Sequence, residues 1–283
     1  MHNHVREGVR NLVPYPPGKP IEELERELGI KDSIKLASNE NPLGPSPEAV
    51  KAILGKIPTL HRYPDGSAYY LREKLSRIFG VPFDRIIVGN GSNEIIELLI
   101  RTFLSEGDRV VQVFPTFLMY EKIVTGAGGH MVSVPMNGWK ADPERIAEAV
   151  TEEVKILFIN NPNNPTGTAL TGDELACLLG LIPDNVIIVL DEAYIEFATD
   201  PSITDGTRLM HMHPRLCVLR TFSKLYGLAG LRIGYGFGSH GLIDFMNRVR
   251  QPFNANSLAQ AAALAALDDE EFKVRTLSVV REG

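Results

Sequence analysis

The sequence is poor in several things. Its 283 residues include two cysteines, Cys177 and Cys217, each in an apolar run and neither in a CxxC spacing. That usage excludes a disulfide scaffold and suits two buried thiols in a reducing compartment. No stretch approaches the ~20 consecutive apolar residues of a membrane span. The first residues, Met1 to Arg10, are polar and lack the apolar centre of a signal peptide. A cytoplasmic protein with no membrane partner is expected. Basic residues are outnumbered, 29 Lys and Arg against 35 Asp and Glu, for a net charge of −6. This balance argues against a nucleic-acid partner, whose phosphate backbone needs basic surface. The histidine pairs His2/His4 and His211/His213 are read as surface loop residues, and no metal site is expected.

What is present suffices for a core. Hydrophobic residues make up 44% of the chain and charged residues 23%, the composition of an ordinary globular protein. The length suits one large domain, or one plus a fragment of another. The first 45 residues are rich in Pro and Gly and resist compact packing alone, so 1–45 reads as an arm lying across other structure. One short amphipathic helix, about Ile21 to Leu28, interrupts it. Ser46-Pro47 is a good helix start, a capping residue followed by proline in the first turn.

After Pro64 the pattern alternates. Helices are predicted over 67–79, 93–104, 116–125, 143–150 and 172–179. Strands are predicted over 85–88, 109–113, 130–134, 155–159, 186–190, 216–220 and 232–237, followed by three helical stretches. Runs such as Val186-Ile187-Ile188-Val189-Leu190 are continuously apolar, the mark of strands buried on both faces. The fold class is therefore α/β, a mainly parallel sheet with helices on both faces. Ligands in such sheets bind at the carboxyl ends of the strands.

Four strand ends carry candidate chemistry. After the strand ending at Arg220 comes Thr221-Phe222-Ser223-Lys224, with Arg232 eight residues beyond the lysine. A lysine forms an imine with an aldehyde, most readily when desolvation lowers its pKa. The hydroxyls and Arg232 could grip a phosphate dianion. A second strand ends in Asp191-Glu192-Ala193-Tyr194. A carboxylate such as Asp191 keeps a neighbouring pyridine nitrogen protonated, and Tyr194 could donate to a phenolic oxygen. A third runs into Asn160-Asn161-Pro162-Asn163-Asn164-Pro165-Thr166-Gly167, where Asn164 could reach the same oxygen. The fourth is Gly89-Asn90-Gly91-Ser92-Asn93-Glu94 before a helix, a place where free N–H groups meet an anion. Glu94 stands where a dinucleotide loop needs its third glycine, so simple phosphate binding fits better than a dehydrogenase. Phe117, after another strand end, could stack on a flat ring.

These motifs, in this order and spacing, resemble the fold-type I aminotransferases over the whole length. Within them the chain is most similar to the histidinol-phosphate aminotransferase family, through Leu12-Val13-Pro14-Tyr15, His61-Arg62-Tyr63-Pro64-Asp65, Asp191 to Phe197 and Leu228-Ala229-Gly230-Leu231-Arg232. The resemblance implies the cofactor pyridoxal 5'-phosphate and transfer of an amino group between L-histidinol phosphate and 2-oxoglutarate or glutamate, in histidine biosynthesis. It implies that Lys224 binds the cofactor covalently and moves the substrate proton, and that Asp191 pairs with the ring nitrogen. Tyr194 and Asn164 would contact the phenolic oxygen. Gly91, Ser92, Asn93, Thr221, Ser223 and Arg232 would hold the phosphate, and Phe117 would stack on the ring where the family more often has tyrosine. Tyr63 would serve the partner subunit's phosphate in a homodimer, and Tyr15 and Asn41 of the arm would close over substrate. Residues 46–255 would form the cofactor-binding domain and 256–283 the start of a small C-terminal domain, most of it missing and with it the arginine that grips the substrate carboxylate. The alternatives are a threonine-phosphate decarboxylase, an aromatic amino acid aminotransferase, or a non-catalytic cofactor-binding module fused to a regulator. The absence of a basic patch disfavours the last.

Overall fold

The computed structural model describes residues 4–16 and 18–283; His2 of the first histidine pair and Pro17 of the arm lie outside them. Among the described residues, helices flank one seven-stranded sheet. In chain order these are α1 (Glu7–Arg10), α2 (Ile21–Leu28), α3 (Pro47–Lys56) and α4 (Tyr69–Phe79). Then come β1 (Ile86–Gly89), α5 (Ser92–Phe103), β2 (Arg109–Phe114), α6 (Met119–Ala127), β3 (His130–Pro135), α7 (Pro143–Ala149) and β4 (Val154–Asn160). The rest are α8 (Gly172–Leu181), β5 (Ile187–Asp191), β6 (Leu216–Thr221), β7 (Gly234–Phe237), α9 (His240–Val249), α10 (Ser257–Ala266) and α11 (Glu270–Glu282). None of these helices is long and apolar enough to cross a membrane.

The sheet order is β1-β7-β6-β5-β4-β2-β3. The pairs from β3 through β6 are parallel, and β7 runs antiparallel to both β6 and β1. Successive residues of the central strands feed opposite cores. Leu157, Ile159, Ile188 and Leu190 join α3, α4, α8 and α10 on one side. Ile156, Phe158, Ile187 and Val189 join α5, α6 and α9 on the other. The fully apolar strands thus arise because neither face meets water.

Local chemistry fixes the helix starts. Ser46 accepts from the Ala49 amide, and Thr171 and Glu174 form a reciprocal capping box at α8. The start of the chain meets α6: Arg6 donates to the Ala127 carbonyl, and a Cβ on Gly8 would sit 2.0 Å from the Thr125 oxygen.

Four expectations need correction. Cys177 is exposed, because Leu175, Leu178 and Leu179 take the inner face of α8 and turn it outward; Cys217 is buried. His213 is buried rather than on the surface, with its ring nitrogen 3.3 Å from the Pro183 carbonyl. Helix α6 begins at Met119 rather than near Thr116, since Thr116 is drawn away to bond Asn163. Arg232 is not in β7; its backbone turns into the left-handed region at φ 56° and the strand starts at Gly234.

Beneath the carboxyl ends of β5 and β6 lies a buried ion pair. Arg220 donates through Nε and Nη2 to Glu192 Oε2 at 3.0 and 2.7 Å, and Glu192 Oε1 accepts from the Gly206 amide. Asp205 lies 2.7 Å from the same guanidinium. Burial pushes the Glu192 carboxyl upward and Arg220 opposes it. Replacing Arg220 with methionine would strand this carboxylate, and loss of one member of a buried pair costs about 3–5 kcal/mol. Urea unfolding of Arg220→Met should show a loss of that size; a loss under ~1 kcal/mol would mean that the pair contributes little.

Candidate active site

Every chemistry-bearing strand end emerges on one side of the sheet. Asn160 ends β4, Asp191 ends β5, Thr221 ends β6 and Gly89 ends β1. A cavity of about 660 Å³ opens there, lined by Asn39, Asn41, Asn164, Tyr194, Phe197 and Lys224 among others.

Asp191 is 4% exposed at the end of a strand whose other members are buried hydrocarbon. Burial pushes its carboxyl upward, and hydrogen bonds hold it back. Tyr120 donates its hydroxyl to Oδ2 at 2.7 Å, and the Ala193 amide donates to Oδ1 at 3.1 Å. Tyr120 is itself fully buried and stacks on Phe158, with ring centres 4.5 Å apart. Burial drives its phenol far above the ordinary range, so it stays a donor. Sequence reading missed Tyr120. Phe117 meets it edge-on at 5.4 Å.

Lys224 follows β6 on a tight turn. Its Nζ donates to the Ser38 and Asn39 carbonyls at 3.0 and 3.1 Å and lies 5.6 Å from the centre of the Tyr194 ring. Burial pushes the lysine below its ordinary pKa and Arg232 adds to this, while Glu40 and Asp191 pull it back up. Tyr194 accepts from Asn39 Nδ2 at 3.0 Å, and burial pushes its phenol upward. Asn164 is pinned by its amide N–H to Asn160 Oδ1 at 2.7 Å, which leaves its side chain at the cavity wall.

The arm enters the site through Asn41. Its amide donates to the carbonyls of Lys224 and Leu225 and to Thr276 of α11, at 3.2, 3.0 and 3.2 Å. Asn41 therefore stitches the arm to the lysine turn. Tyr15 stands half-exposed on the arm, close enough to Tyr194 to affect its phenol.

An anion seat forms where β1, β7 and β6 converge. Gly89, Gly234 and Thr221 are aligned across the three strands. Gly91 has φ +78°, and a Cβ on it would lie 2.5 Å from Nη2 of Arg232. A Cβ on Gly234 would lie 2.3 Å from the Ser92 nitrogen. The two missing side chains let an arginine and the free N–H groups of the first turn of α5 share one spot. Thr221 donates to Ser223 Oγ at 2.9 Å beside it. This donor set fits a phosphate, and with Asp191 and Lys224 it fits a phosphorylated pyridine aldehyde.

Tyr63 is not brought to this site. It is 82% exposed and stacks on Phe253 with ring centres 4.8 Å apart.

The family model for aminotransferases of class I and II matches residues 31–282. The chain belongs to this family. The aminotransferase is 48% identical over 282 residues to histidinol-phosphate aminotransferase of Desulfotalea psychrophila, covering 99% of this chain and 74% of the relative. It is also 48% identical to histidinol-phosphate aminotransferase 1 of Nitrosococcus oceani, covering 98% and 75%. Among solved structures it is similar to the histidinol-phosphate aminotransferase of Sinorhizobium meliloti in complex with pyridoxal-5'-phosphate. The TM-score is 0.88 at 28% identity, covering 99% of this chain and 75% of that one. An aspartate aminotransferase of Thermus thermophilus follows at a TM-score of 0.79 and 26% identity, covering 92% and 71%. The chain thus spans about three quarters of the length of these relatives.

The Tyr120–Asp191 bond makes a prediction. Tyr120→Phe removes the donor that lowers the Asp191 carboxyl, so its pKa rises further. The acid limb of the rate profile should move to higher pH, and stability should fall by about 1–3 kcal/mol for the unpaired acceptor. A pH profile of single-turnover rate together with thermal unfolding checks both; an unmoved acid limb would show that Tyr120 does not act through Asp191.

Proposed function

We propose that this aminotransferase uses pyridoxal 5'-phosphate to move the amino group of L-histidinol phosphate to 2-oxoglutarate, within histidine biosynthesis. The observation that carries the substrate is the shared name of relatives 45–48% identical over nearly the whole chain. The cofactor reading rests on the pairing of a buried carboxylate, a desolvated lysine and a phosphate seat.

The bound cofactor supplies an electron sink for the carbon that loses its proton. The chain's residues do the rest. Lys224 Nζ, held below the ordinary lysine range by burial, would hold the cofactor and would move the proton at the substrate carbon. Asp191 would keep the ring nitrogen protonated, with Tyr120 holding Asp191 in place. Tyr194 and Asn164 would serve the phenolic oxygen, and Phe117 would cover the ring. Gly91, Ser92, Asn93, Thr221, Ser223 and Arg232 would hold the phosphate. Tyr15 and Asn41 close the arm over substrate.

The decisive assay offers histidinol phosphate, phenylalanine and threonine phosphate in turn, with 2-oxoglutarate. Glutamate formation is expected chiefly from histidinol phosphate, and Lys224→Ala should lose both turnover and the borohydride-fixed cofactor adduct. Carbon dioxide released from threonine phosphate would overturn the reading in favour of decarboxylation. An undiminished adduct in the lysine variant would overturn the assignment of Lys224.

We also propose a cytoplasmic homodimer with shared sites. Leu54, Ile57, Leu60, Tyr63 and Tyr70 are exposed on and after α3 and around α4, a large apolar surface for one face. Tyr63 from one subunit would reach the other's phosphate. Mixing Tyr63→Ala chains with Lys224→Ala chains should restore partial activity, since one site of each mixed dimer is then intact. Stable mixed dimers with no recovery would rule out action across the interface.

A further inference from the structure

Glu94 is the residue that breaks the dinucleotide pattern, and its carboxylate is the centre of a hydrogen-bond buckle. Its Oε2 accepts from the Asn90 backbone N–H at 2.6 Å and from Asn254 Nδ2 at 2.6 Å. The same Asn254 nitrogen donates to the Val88 carbonyl at 3.0 Å. Asn254 Oδ1 in turn accepts from Arg250 at 2.6 Å, and Arg250 Nε donates to Asn247 at 2.9 Å. Two turns of chain remote in sequence, Val88–Glu94 and Asn247–Asn254, are thereby clasped around one carboxylate. The loop that is held is the one whose Gly91 lies against Arg232.

A carboxylate in this loop is electrostatically wrong for an anion seat, because its charge repels a phosphate through space. Its local use as an acid in the first turn of α5 explains the helix, but not Asn254, which lies beyond α9 and caps nothing in α5. We propose that Glu94 and Asn254 are positioning residues that set the affinity for the cofactor phosphate by fixing the path of the chain from Val88 to Ser92. They touch no cofactor atom; they aim the N–H groups that do. The proposal rests on the phosphate seat at Gly91, Ser92 and Arg232 put forward above.

The test compares pyridoxal 5'-phosphate with pyridoxal, which lacks the phosphate, by titrating the cofactor-stripped protein and following absorbance. Asn254→Ala and Glu94→Ala should each weaken pyridoxal phosphate by about tenfold, the scale of one lost hydrogen bond to a charged group. Pyridoxal affinity should change by less than ~2-fold in both, well under one such bond. Glu94→Gln should behave like the parent, because its amide oxygen still accepts both bonds. If Glu94→Ala does not fold, Asn254→Ala decides alone, since it leaves the Asn90–Glu94 bond intact. Equal losses for the two ligands would reduce the pair to general structural support and overturn the proposal. So would tighter binding by Glu94→Gln with Asn254→Ala unchanged, which is the signature of charge alone. Arg232→Ala serves as the control for the seat: it should weaken pyridoxal phosphate and spare pyridoxal. If it spares both, the seat lies elsewhere and the proposal falls with it.

Discussion

Asp191 places a carboxylate at the end of a strand whose other four side chains are buried hydrocarbon. Burial alone would neutralise it, since a charge in an apolar interior costs several kcal/mol unless it is paired or hydrogen-bonded. The surroundings are arranged to prevent that. Tyr120 supplies one donor from α6 and the Ala193 amide another from the chain's own turn. The phenol is protonated at neutral pH in any case, and its burial holds it so more firmly. The same burial that raises Asp191 lowers Lys224, so one cause prepares both partners, and each group partly offsets the other's shift.

The strand ends show a division of labour between neighbours. Asp191 faces the site, and Glu192, next in sequence, turns into the protein to meet Arg220. The Arg220 side chain is buried on the same face, and Thr221, next in sequence, stands at the proposed phosphate seat. Alternation along a strand puts adjacent side chains on opposite faces. One face thus holds the groups proposed to react while the other locks β5 to β6. Asn160 and Asn161 tie in β4 by donating to the Asp191 carbonyl at 3.0 and 2.9 Å.

Much of this could be read from the residues. The apolar runs marked buried strands, and the groups that follow them in sequence proved to share one end of the sheet. Lys224, Asp191, Tyr194 and Asn164 were legible because each follows such a run directly. Tyr120 was hidden because it reaches Asp191 from a helix on one side of the sheet, a contact 71 residues apart that no local pattern encodes. Asn254 was hidden for the same reason, at a separation of 160 residues from Glu94. Arg-Ile-Gly-Tyr-Gly-Phe reads as a strand from Arg232 on, whereas the Arg232 backbone is left-handed and only its guanidinium reaches Gly91. Cys177 and His213 were misjudged because an apolar run does not say which side of a helix faces out, nor does a polar loop say which residue turns in.

The pairing of β1 with β7 has a consequence for how the molecule comes to exist. One strand lies near the beginning of the sheet's sequence and the other at its end, yet they are hydrogen-bonded neighbours. Contacts of such long sequence separation form slowly, because the intervening loop must be ordered before the pairing returns any free energy. The half of the sheet made from β2 to β5 can assemble as its strands leave the ribosome. The phosphate seat cannot, since Gly91 waits for Arg232 and Gly234 to be synthesised. A ligand captured at the proposed seat would stabilise only chains in which β1 and β7 have already paired.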